Sequence, residues 1–138
     1  MKSELFHQHM LLRAFIKRPP MKEEEINQWL TELVSDIGMK VVVPAKSKYV
    51  DAEGNTGLTG SINIETSHIA IHIWDEQSPA RVEMDVYSCA CFEPETVLKK
   101  LDEFFIQKYH MMMVDRNGEE FKINYQSNGY EVYNSTYP

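Results

Sequence analysis

The segment SHIAIHIW, residues 67–74, constrains the fold most strongly, because isoleucine alternates there with other residue types. Successive side chains of a β-strand point to opposite faces of the sheet, so Ile69, Ile71 and Ile73 share one face. The opposite face then carries His68, Ala70, His72 and Trp74. The pattern predicts a strand with one face in the core and a second, polar face that contacts solvent, a partner or a functional site.

Two further segments have apolar residues at helical spacing. The first follows the Pro19-Pro20 break, runs from Met21 to Ile37, and has three glutamates in its first turn, where the helix dipole favours anions. Gly38 stands where a glycine commonly ends a helix. The second helix is predicted to begin near Pro94, since proline is favoured in the first turn.

Strands are predicted at residues 5–16, 39–43, 61–65, 68–74, 80–90, 111–114 and 121–125. Residues 45–59 are polar and rich in turn formers, so we expect a loop there. Asn117-Gly118 predicts a tight hairpin turn, and residues 127–138 show no regular pattern.

The resulting order, β-α-β-β-β-β-α-β-β, has too few helices to cover both faces of its sheet. It predicts one α+β domain over residues 1–138, a two-layer sandwich whose mostly antiparallel sheet carries two helices on one face. We expect His72, Trp74 and Met84 on the uncovered face. That face is expected to pack on the sheet of an identical subunit, which gives a homodimer.

Charge and hydropathy exclude several classes of protein. The formal net charge of −7 disfavours nucleic-acid binding, since the few cations do not cluster. No apolar run is long enough to span a bilayer, and the N-terminus lacks the apolar core of a signal peptide. Cys89 and Cys91 lie two residues apart on one strand, a poor geometry for a disulfide, and are read as reduced thiols. These features predict a cytoplasmic protein that binds neither membranes nor nucleic acid.

Three kinds of chemistry could use the residues in and near this strand. A metal site could draw on the imidazoles and thiols of the chain: His7, His9, His68, His72, Cys89 and Cys91. None of these pairs has the spacing of a zinc finger or a zinc protease, so we predict no metal site. A serine hydrolase is also disfavoured, because Ser67 lacks the G-x-S-x-G turn that activates such a serine.

The third possibility is that Ser67 attacks its own backbone. Addition of its hydroxyl to the preceding carbonyl, that of Thr66, moves the acyl group from nitrogen to oxygen and leaves an ester. Loss of the Ser67 α-proton expels the ester, and hydrolysis of the resulting dehydroalanine leaves a pyruvoyl group at a new N-terminus. The route needs a group that polarises the carbonyl and a histidine that moves protons. Its product is a ketone that forms a Schiff base with an amine and acts as an electron sink.

The segments GLTGSINIETSHIAIHIWDE and DVYSCA resemble the prokaryotic S-adenosylmethionine decarboxylases. That family shows a G-V-S-G strand, an E-S-H cleavage site, an I-H-x-W-P-E segment and a D-[FL]-[FY]-[TS]-C-G strand. The resemblance covers about residues 57–105 in matching order. It implies a two-layer sandwich that pairs its sheets in a dimer, a self-made pyruvoyl cofactor, and decarboxylation of S-adenosylmethionine for polyamine synthesis.

The resemblance also implies roles for the residues that process the chain. Ser67 matches the serine that becomes the pyruvoyl group, with cleavage between Thr66 and Ser67. His72 matches the histidine that transfers protons during processing. Thr59 matches an assisting serine hydroxyl. His68 has no matched role, and we read it as structural or as a neighbour that orients the backbone of Ser67.

Three further positions match residues that act on the substrate. Cys89 corresponds to the cysteine that protonates the substrate carbon after carbon dioxide leaves, and an ordinary thiol is mostly protonated at neutral pH, as this role requires. Glu76 corresponds to the acid expected to hold the ribose hydroxyls. Tyr49 could supply an aromatic ring that stacks on the substrate.

The sequence departs from the family pattern in ways that leave two alternatives open. Residues 45–59 look longer and more acidic than in the family, and Arg81 is unusual, which suggests the same chemistry on ornithine or arginine. Thr66 stands where short members of the family usually have glutamate, and Thr59 adds a methyl group to the family's serine. These two changes suggest a homologue that does not cleave and acts as a non-catalytic partner.

Overall fold

A computed structural model describes residues 6–65 and 67–130. In chain order the elements are β1 (Gln8–Ile16), α1 (Glu23–Asp36), β2 (Val41–Val50), β3 (Gly57–Ile64), β4 (Ser67–Trp74), β5 (Ala80–Ser88), α2 (Pro94–Leu101) with a 3₁₀ turn (Asp102–Phe104), β6 (Ile106–Asp115) and β7 (Lys122–Tyr130). All seven strands form one antiparallel sheet in the order β2-β3-β4-β5-β1-β6-β7. The predicted element order and the α+β class with an antiparallel sheet are confirmed.

The core lies between one face of the sheet and the two helices. Alternate residues of the central strands are buried, including Ile69, Ile71 and Ile73 of β4. Helix α1, predicted from its apolar spacing, buries one stripe made of Ile26, Trp29, Leu30, Leu33 and Val34. The Trp29 indole N–H donates to the carbonyl of Lys100 at 3.1 Å, which ties α1 to α2 on the same side of the sheet. Each buried leucine or isoleucine contributes about 1.5–3 kcal/mol to folding.

The opposite side of the sheet, which we call the open face, is covered by no element among the described residues. Its central members are His9, Leu11, Arg13, His68, Ala70, His72, Trp74, Arg81, Glu83, Asp85 and Tyr87. The prediction that Met84 lies on this face is wrong: Met84 is buried on the helix side. The physical reason is strand parity, because Met84 lies two residues from Val82 and from Val86 and must point the same way.

The predicted loop at residues 45–59 is also wrong. Strand β2 continues to Val50 and β3 begins at Gly57, so the two strands form a hairpin connected by residues 51–56. Strand β2 lies at the edge of the sheet and is exposed over most of its length. Edge strands are often polar or charged on both faces, so they lack the alternation from which strands are recognised in a sequence.

Smaller differences occur at the chain's other turns. Gly38 ends α1 with a positive φ of 78° and donates its N–H to the carbonyl of Ser35, as the sequence predicts. Asn117-Gly118 lies in the β6–β7 hairpin, but the connection spans residues 116–121 and is no tight two-residue turn. Residues 127–130, predicted to be irregular, continue β7, and residues 131–138 lie outside the described residues. Neither helix of the described chain is both long and apolar enough to cross a membrane.

Candidate active site

Ser67 and Cys89 meet at one end of the sheet. Ser67 is the first residue of β4, and Cys89 follows the last residue of the neighbouring strand β5. The backbone N–H of Cys89 donates to Ser67 Oγ at 3.1 Å, and the Cys89 thiol sulfur lies 3.8 Å from the same oxygen. Ser67 Oγ in turn donates to the carbonyl of Glu65 at 3.2 Å. The structure therefore brings together the predicted cleavage serine and the predicted proton donor, which lie 22 residues apart in sequence.

The connection between β3 and β4 is only two residues long. Ile64 pairs with Ser67 across the hairpin, so Glu65 and Thr66 lie between the two strands. The sequence predicted this turn from the break in alternation at the same point. Thr66, whose carbonyl is the predicted point of attack, lies outside the described residues.

A pocket of about 320 Å³ opens beside Ser67. Its lining consists of Gly38, Met39, Glu65, Ser67, Ser88, Cys89 and Ala90. The pocket gives a small substrate access to both the serine and the thiol. A pyruvoyl group formed from Ser67 fits this site, because the group would arise at the pocket wall within reach of a proton donor.

Thr59 and His72 form a second group of predicted residues. They are cross-strand neighbours on β3 and β4, and Thr59 Oγ1 lies 3.1 Å from His72 Nδ1. Both side chains are exposed on the open face, whereas Ser67 is buried on the other side of β4. His72 lies five positions along β4 from Ser67, which is about 17 Å at the usual rise per residue. The structure does not bring His72 to Ser67 within one chain.

Glu76 lies at the far end of β4, where its carboxylate holds the β2–β3 connection. It accepts the backbone N–H groups of Gly54 at 3.1 Å and of Thr56 at 3.0 Å. The Trp74 indole N–H donates to the side-chain oxygen of Asn55 in the same connection, at 2.8 Å. A cavity of about 370 Å³ opens here between Glu76, Trp74 and Arg81. Part of the hydrogen-bonding capacity of the Glu76 carboxylate is therefore already used by the chain itself.

Tyr49 is held by its own hydrogen bonds on β2. Its hydroxyl donates to Asp75 at 2.8 Å and its backbone N–H donates to Glu23 at 2.8 Å. The hydrogen bond to Asp75, more than burial, raises the pKa of Tyr49 above its usual range. These contacts fix the ring near the base of the hairpin that Glu76 also holds.

A cluster that sequence reasoning missed lies on the open face next to the start of β4. His68 Nε2 lies 3.4 Å and His9 Nε2 3.7 Å from the same oxygen of Asp85, and the three ligand atoms lie within 4.8 Å of one another. Burial raises the pKa of Asp85, but the facing histidines outweigh burial and lower that pKa. The sequence placed His68 on the face of β4 opposite the isoleucines. It did not show that β1 inserts beside β5, which brings His9 to the pair.

The composition of this cluster resembles a zinc ligand set, but one contact disfavours metal binding. Arg116 Nη1 lies 3.0 Å from His9 Nδ1. An arginine side chain only donates hydrogen bonds, so Nδ1 accepts, and Nε2 of a neutral His9 carries the proton. The protonated nitrogen is the one nearest Asp85, 3.7 Å from its oxygen, where a metal ion would need a lone pair. The cluster is better described as two imidazoles paired with one carboxylate.

Comparison of the sequence with known proteins gives a consistent family assignment. A sequence model described as S-adenosylmethionine decarboxylase matches residues 17–117. The S-adenosylmethionine decarboxylase proenzyme of Clostridium botulinum is 33% identical over 86 residues, which cover 62% of this chain and 69% of that one. The proenzyme of Thermococcus gammatolerans is 36% identical over 77 residues, covering 54% of this chain and 52% of its own. A solved phage SAM lyase in complex with S-methyl-5'-thioadenosine superposes with a TM-score of 0.42 at 7% identity, over 96% of this chain and 95% of that one.

Proposed function

This chain belongs to the S-adenosylmethionine decarboxylase family, and we propose that it is a proenzyme that cuts itself between Thr66 and Ser67 and then decarboxylates S-adenosylmethionine. The observation that carries the proposal is the contact of Ser67 with Cys89 beside an open pocket, directly after a two-residue hairpin connection. One domain, residues 1–138, carries out both steps. The product serves as an aminopropyl donor for spermidine synthesis, and the protein acts in the cytoplasm.

The cleavage chemistry balances with water as the only added reactant. Ser67 Oγ bonds to the carbonyl carbon of Thr66, the peptide C–N bond breaks, and the nitrogen takes a proton. Removal of the Ser67 α-proton then breaks the Cβ–Oγ bond, so the oxygen leaves within the new carboxylate of Thr66. Water replaces the nitrogen, which departs as ammonia. The N–H of Cys89 supports the first step, because it holds Ser67 Oγ in a fixed position.

Cys89 is proposed to act again in turnover. The pyruvoyl group supplies a ketone that condenses with the substrate amine and withdraws electrons as carbon dioxide leaves. The Cys89 thiol lies at the wall of the same pocket and returns a proton to the substrate carbon. Glu76 lies beyond the far end of β4, more than about 20 Å from Ser67 at the usual rise per residue. It is therefore proposed to hold, with Tyr49 near it, the ribose of the substrate bound at the Ser67 of a second copy.

His72 and Thr59 are proposed to act on the Ser67 of a second copy. Within one chain they lie about 17 Å along the strand from Ser67 and on the other face. We propose a homodimer in which the two open faces pack together and the two-fold axis runs perpendicular to β4. The β4 strands of the two copies then run in opposite directions, so the Ser67 end of one copy lies near the His72 end of the other. Each site then combines Ser67 and Cys89 from one copy with Thr59 and His72 from its partner.

One motivation for the alternative substrates was the loop predicted at residues 45–59. In the structure this segment is mostly a strand hairpin, and only residues 51–56 connect its two strands. Arg81, the second motivation, is engaged by Glu83 at 2.9 Å and lies 5.9 Å from the Trp74 ring. S-adenosylmethionine is therefore the substrate we propose in preference to ornithine or arginine.

Intact-mass measurement tests the cleavage. We expect two pieces, residues 1–66 and a blocked piece of residues 67–138, and a single full-length species for Ser67→Ala. A full-length mass after long incubation of the unaltered chain contradicts the proposal and favours a non-cleaving partner protein. The cleaved protein should release labelled carbon dioxide from carboxyl-labelled S-adenosylmethionine, and release from ornithine or arginine alone would reassign the substrate.

A further inference from the structure

We propose that His68, paired with Asp85 and backed by His9, is the clamp that holds the start of β4 in place once the chain has been cut there. The inference rests on the proposed function, because it concerns the state of β4 after cleavage. It assigns a positioning role to a cluster that contains neither Ser67 nor Cys89.

Cleavage removes the contacts that hold residue 67. In the uncut chain, Ser67 Oγ accepts the N–H of Cys89 at 3.1 Å and donates to the carbonyl of Glu65 at 3.2 Å. Processing transfers this oxygen to the carboxylate of Thr66, so residue 67 no longer makes either hydrogen bond. The covalent connection to β3 is lost at the same time. The new first residue of β4 keeps neither its side-chain bonds nor its neighbour in the chain.

The next residue, His68, keeps its contacts through this change. Its backbone is the first of β4 to pair with β5, opposite Tyr87. Its imidazole lies 3.4 Å from Asp85 and packs against the rings of Tyr87, at 5.7 Å between centroids, and His9, at 6.0 Å. Only the amide bond between residues 67 and 68 separates this anchored side chain from the reactive group.

The cluster is itself braced from three sides. Arg116 donates to His9 Nδ1 and lies 4.4 Å above the Tyr87 ring. The Tyr87 hydroxyl lies 2.7 Å from His7 Nδ1. Asp85 sits in the middle of β5 between β4 and β1, where strand pairing on both sides holds its backbone. A carboxylate held this firmly can fix a chain end that would otherwise fray, as strand termini do.

The clamp predicts a difference between cut and uncut protein that a general structural role for these residues does not predict. Asp85→Asn should loosen the start of β4 strongly in the cut protein and only slightly in the uncut protein, because the hairpin still holds the strand there. We expect amide hydrogen exchange at residues 68–70 to rise at least about thirtyfold in cleaved Asp85→Asn. When Ser67→Ala prevents cleavage, the rise should be no more than about fivefold, the factor that the small loss of global stability gives by itself.

His68→Asn gives a second test, because the shorter side chain keeps polarity but cannot reach Asp85. Glu83→Gln is the matched control, since Glu83 lies two residues from Asp85 on the same face and bonds Arg13 and Arg81 instead. The control should leave exchange at residues 68–70 unchanged in both backgrounds. Circular dichroism establishes that each variant is folded.

Equal acceleration in cut and uncut protein would make the cluster a general structural feature and overturn the clamp. Unchanged exchange in cleaved Asp85→Asn would overturn it as well. Absence of cleavage in the unaltered chain, seen by mass, counts against the proposed function and the clamp together. Normal cleavage with unaltered exchange counts against the clamp alone.

Discussion

At the scale of single residues, the backbone and the side chain of Cys89 contribute to different steps. The N–H that holds Ser67 Oγ belongs to the main chain and remains after any substitution except proline. The thiol contributes a proton that the main chain cannot supply. Positioning for cleavage and proton return in turnover can therefore be separated by one mutation.

Cys89→Ala should still cleave itself but should lose decarboxylation by about 10²-fold or more, the usual contribution of a general acid. Intact mass measures the first property and release of labelled carbon dioxide measures the second. Cys91→Ala is the matched control and should retain both. A Cys89→Ala chain that decarboxylates normally would remove the thiol from the mechanism.

Asp85 makes stability depend on pH in a predictable direction. Its pKa in the folded chain is lowered by His9, His68 and His72 against the opposing effect of burial. A lowered carboxyl pKa stabilises the fold above the ordinary carboxyl range, and this contribution is lost as pH falls through the folded-state pKa. Stability rises with pH in this range because Asp85 binds a proton more readily in the unfolded chain than in the folded chain.

Asp85→Asn, made in the uncleavable Ser67→Ala chain, should therefore cost about 1 kcal/mol at neutral pH, where solvent screens the half-exposed group. The difference from the parent should shrink on acidification below pH about 4. Urea unfolding at several pH values measures it. A difference that grows in acid would show that the carboxylate does not stabilise the folded state.

At the scale of elements, the hairpin of β2 and β3 depends on Gly57. A Cβ at this position would lie 1.8 Å from the carbonyl oxygen of Ile73 on the adjacent strand, and the φ of 148° is one that side chains rarely adopt. Gly54, in the connection of the same hairpin, has a φ of 77° with open space around it. The two glycines share a positive φ and differ in the room beside them.

Gly57→Ala should lower the free energy of unfolding by more than 3 kcal/mol, roughly the upper end for backbone strain alone. Gly54→Ala should cost only about 1–2 kcal/mol, the penalty for the left-handed conformation. Urea unfolding in the Ser67→Ala background compares the two. Equal costs would mean that β3 shifts away from Ile73 without difficulty.

The sequence predicted elements well where burial alternates and poorly where it does not. Strand β4 and helix α1 each bury one regular stripe, so their apolar periodicity indicated both element and face. Strand β2 is solvent-exposed at the edge and has no such stripe. To predict the contact of Ser67 with Cys89, it is enough to know that β4 and β5 are neighbours. To predict the cluster around Asp85, one must also know that β1 lies beside β5 at the centre of the sheet, and no local sequence pattern encodes that position.

At the scale of the whole molecule, the open face is proposed to be the dimer interface. Leu11 lies near its centre, beside Asp85 on the neighbouring strand, and is 43% exposed. Val42, 60% exposed, lies on the edge strand β2. The two residues test whether the face or the edge joins the copies.

Leu11→Glu should shift the protein from dimer to monomer, because a buried unpaired charge costs several kcal/mol. It should also slow cleavage, since His72 is supplied by the partner. Val42→Glu should change neither property. Sedimentation velocity and intact mass report the two outcomes, and a monomeric Leu11→Glu protein that cleaves at the normal rate would place His72 outside the reaction.

The strand order gives the proposed cut a kinetic consequence. Residues 1–66 supply β1, β2 and β3, and β1 lies between β5 and β6 of the other piece. Three of the six strand pairings therefore join the two pieces. Before the cut, refolding of each subunit is a first-order event within one chain. Afterwards it is a second-order encounter of two pieces without the effective concentration that the peptide bond supplied. Maturation at Ser67 would thus make the recovery of even a single subunit from denaturation depend on protein concentration, in addition to the assembly of the dimer.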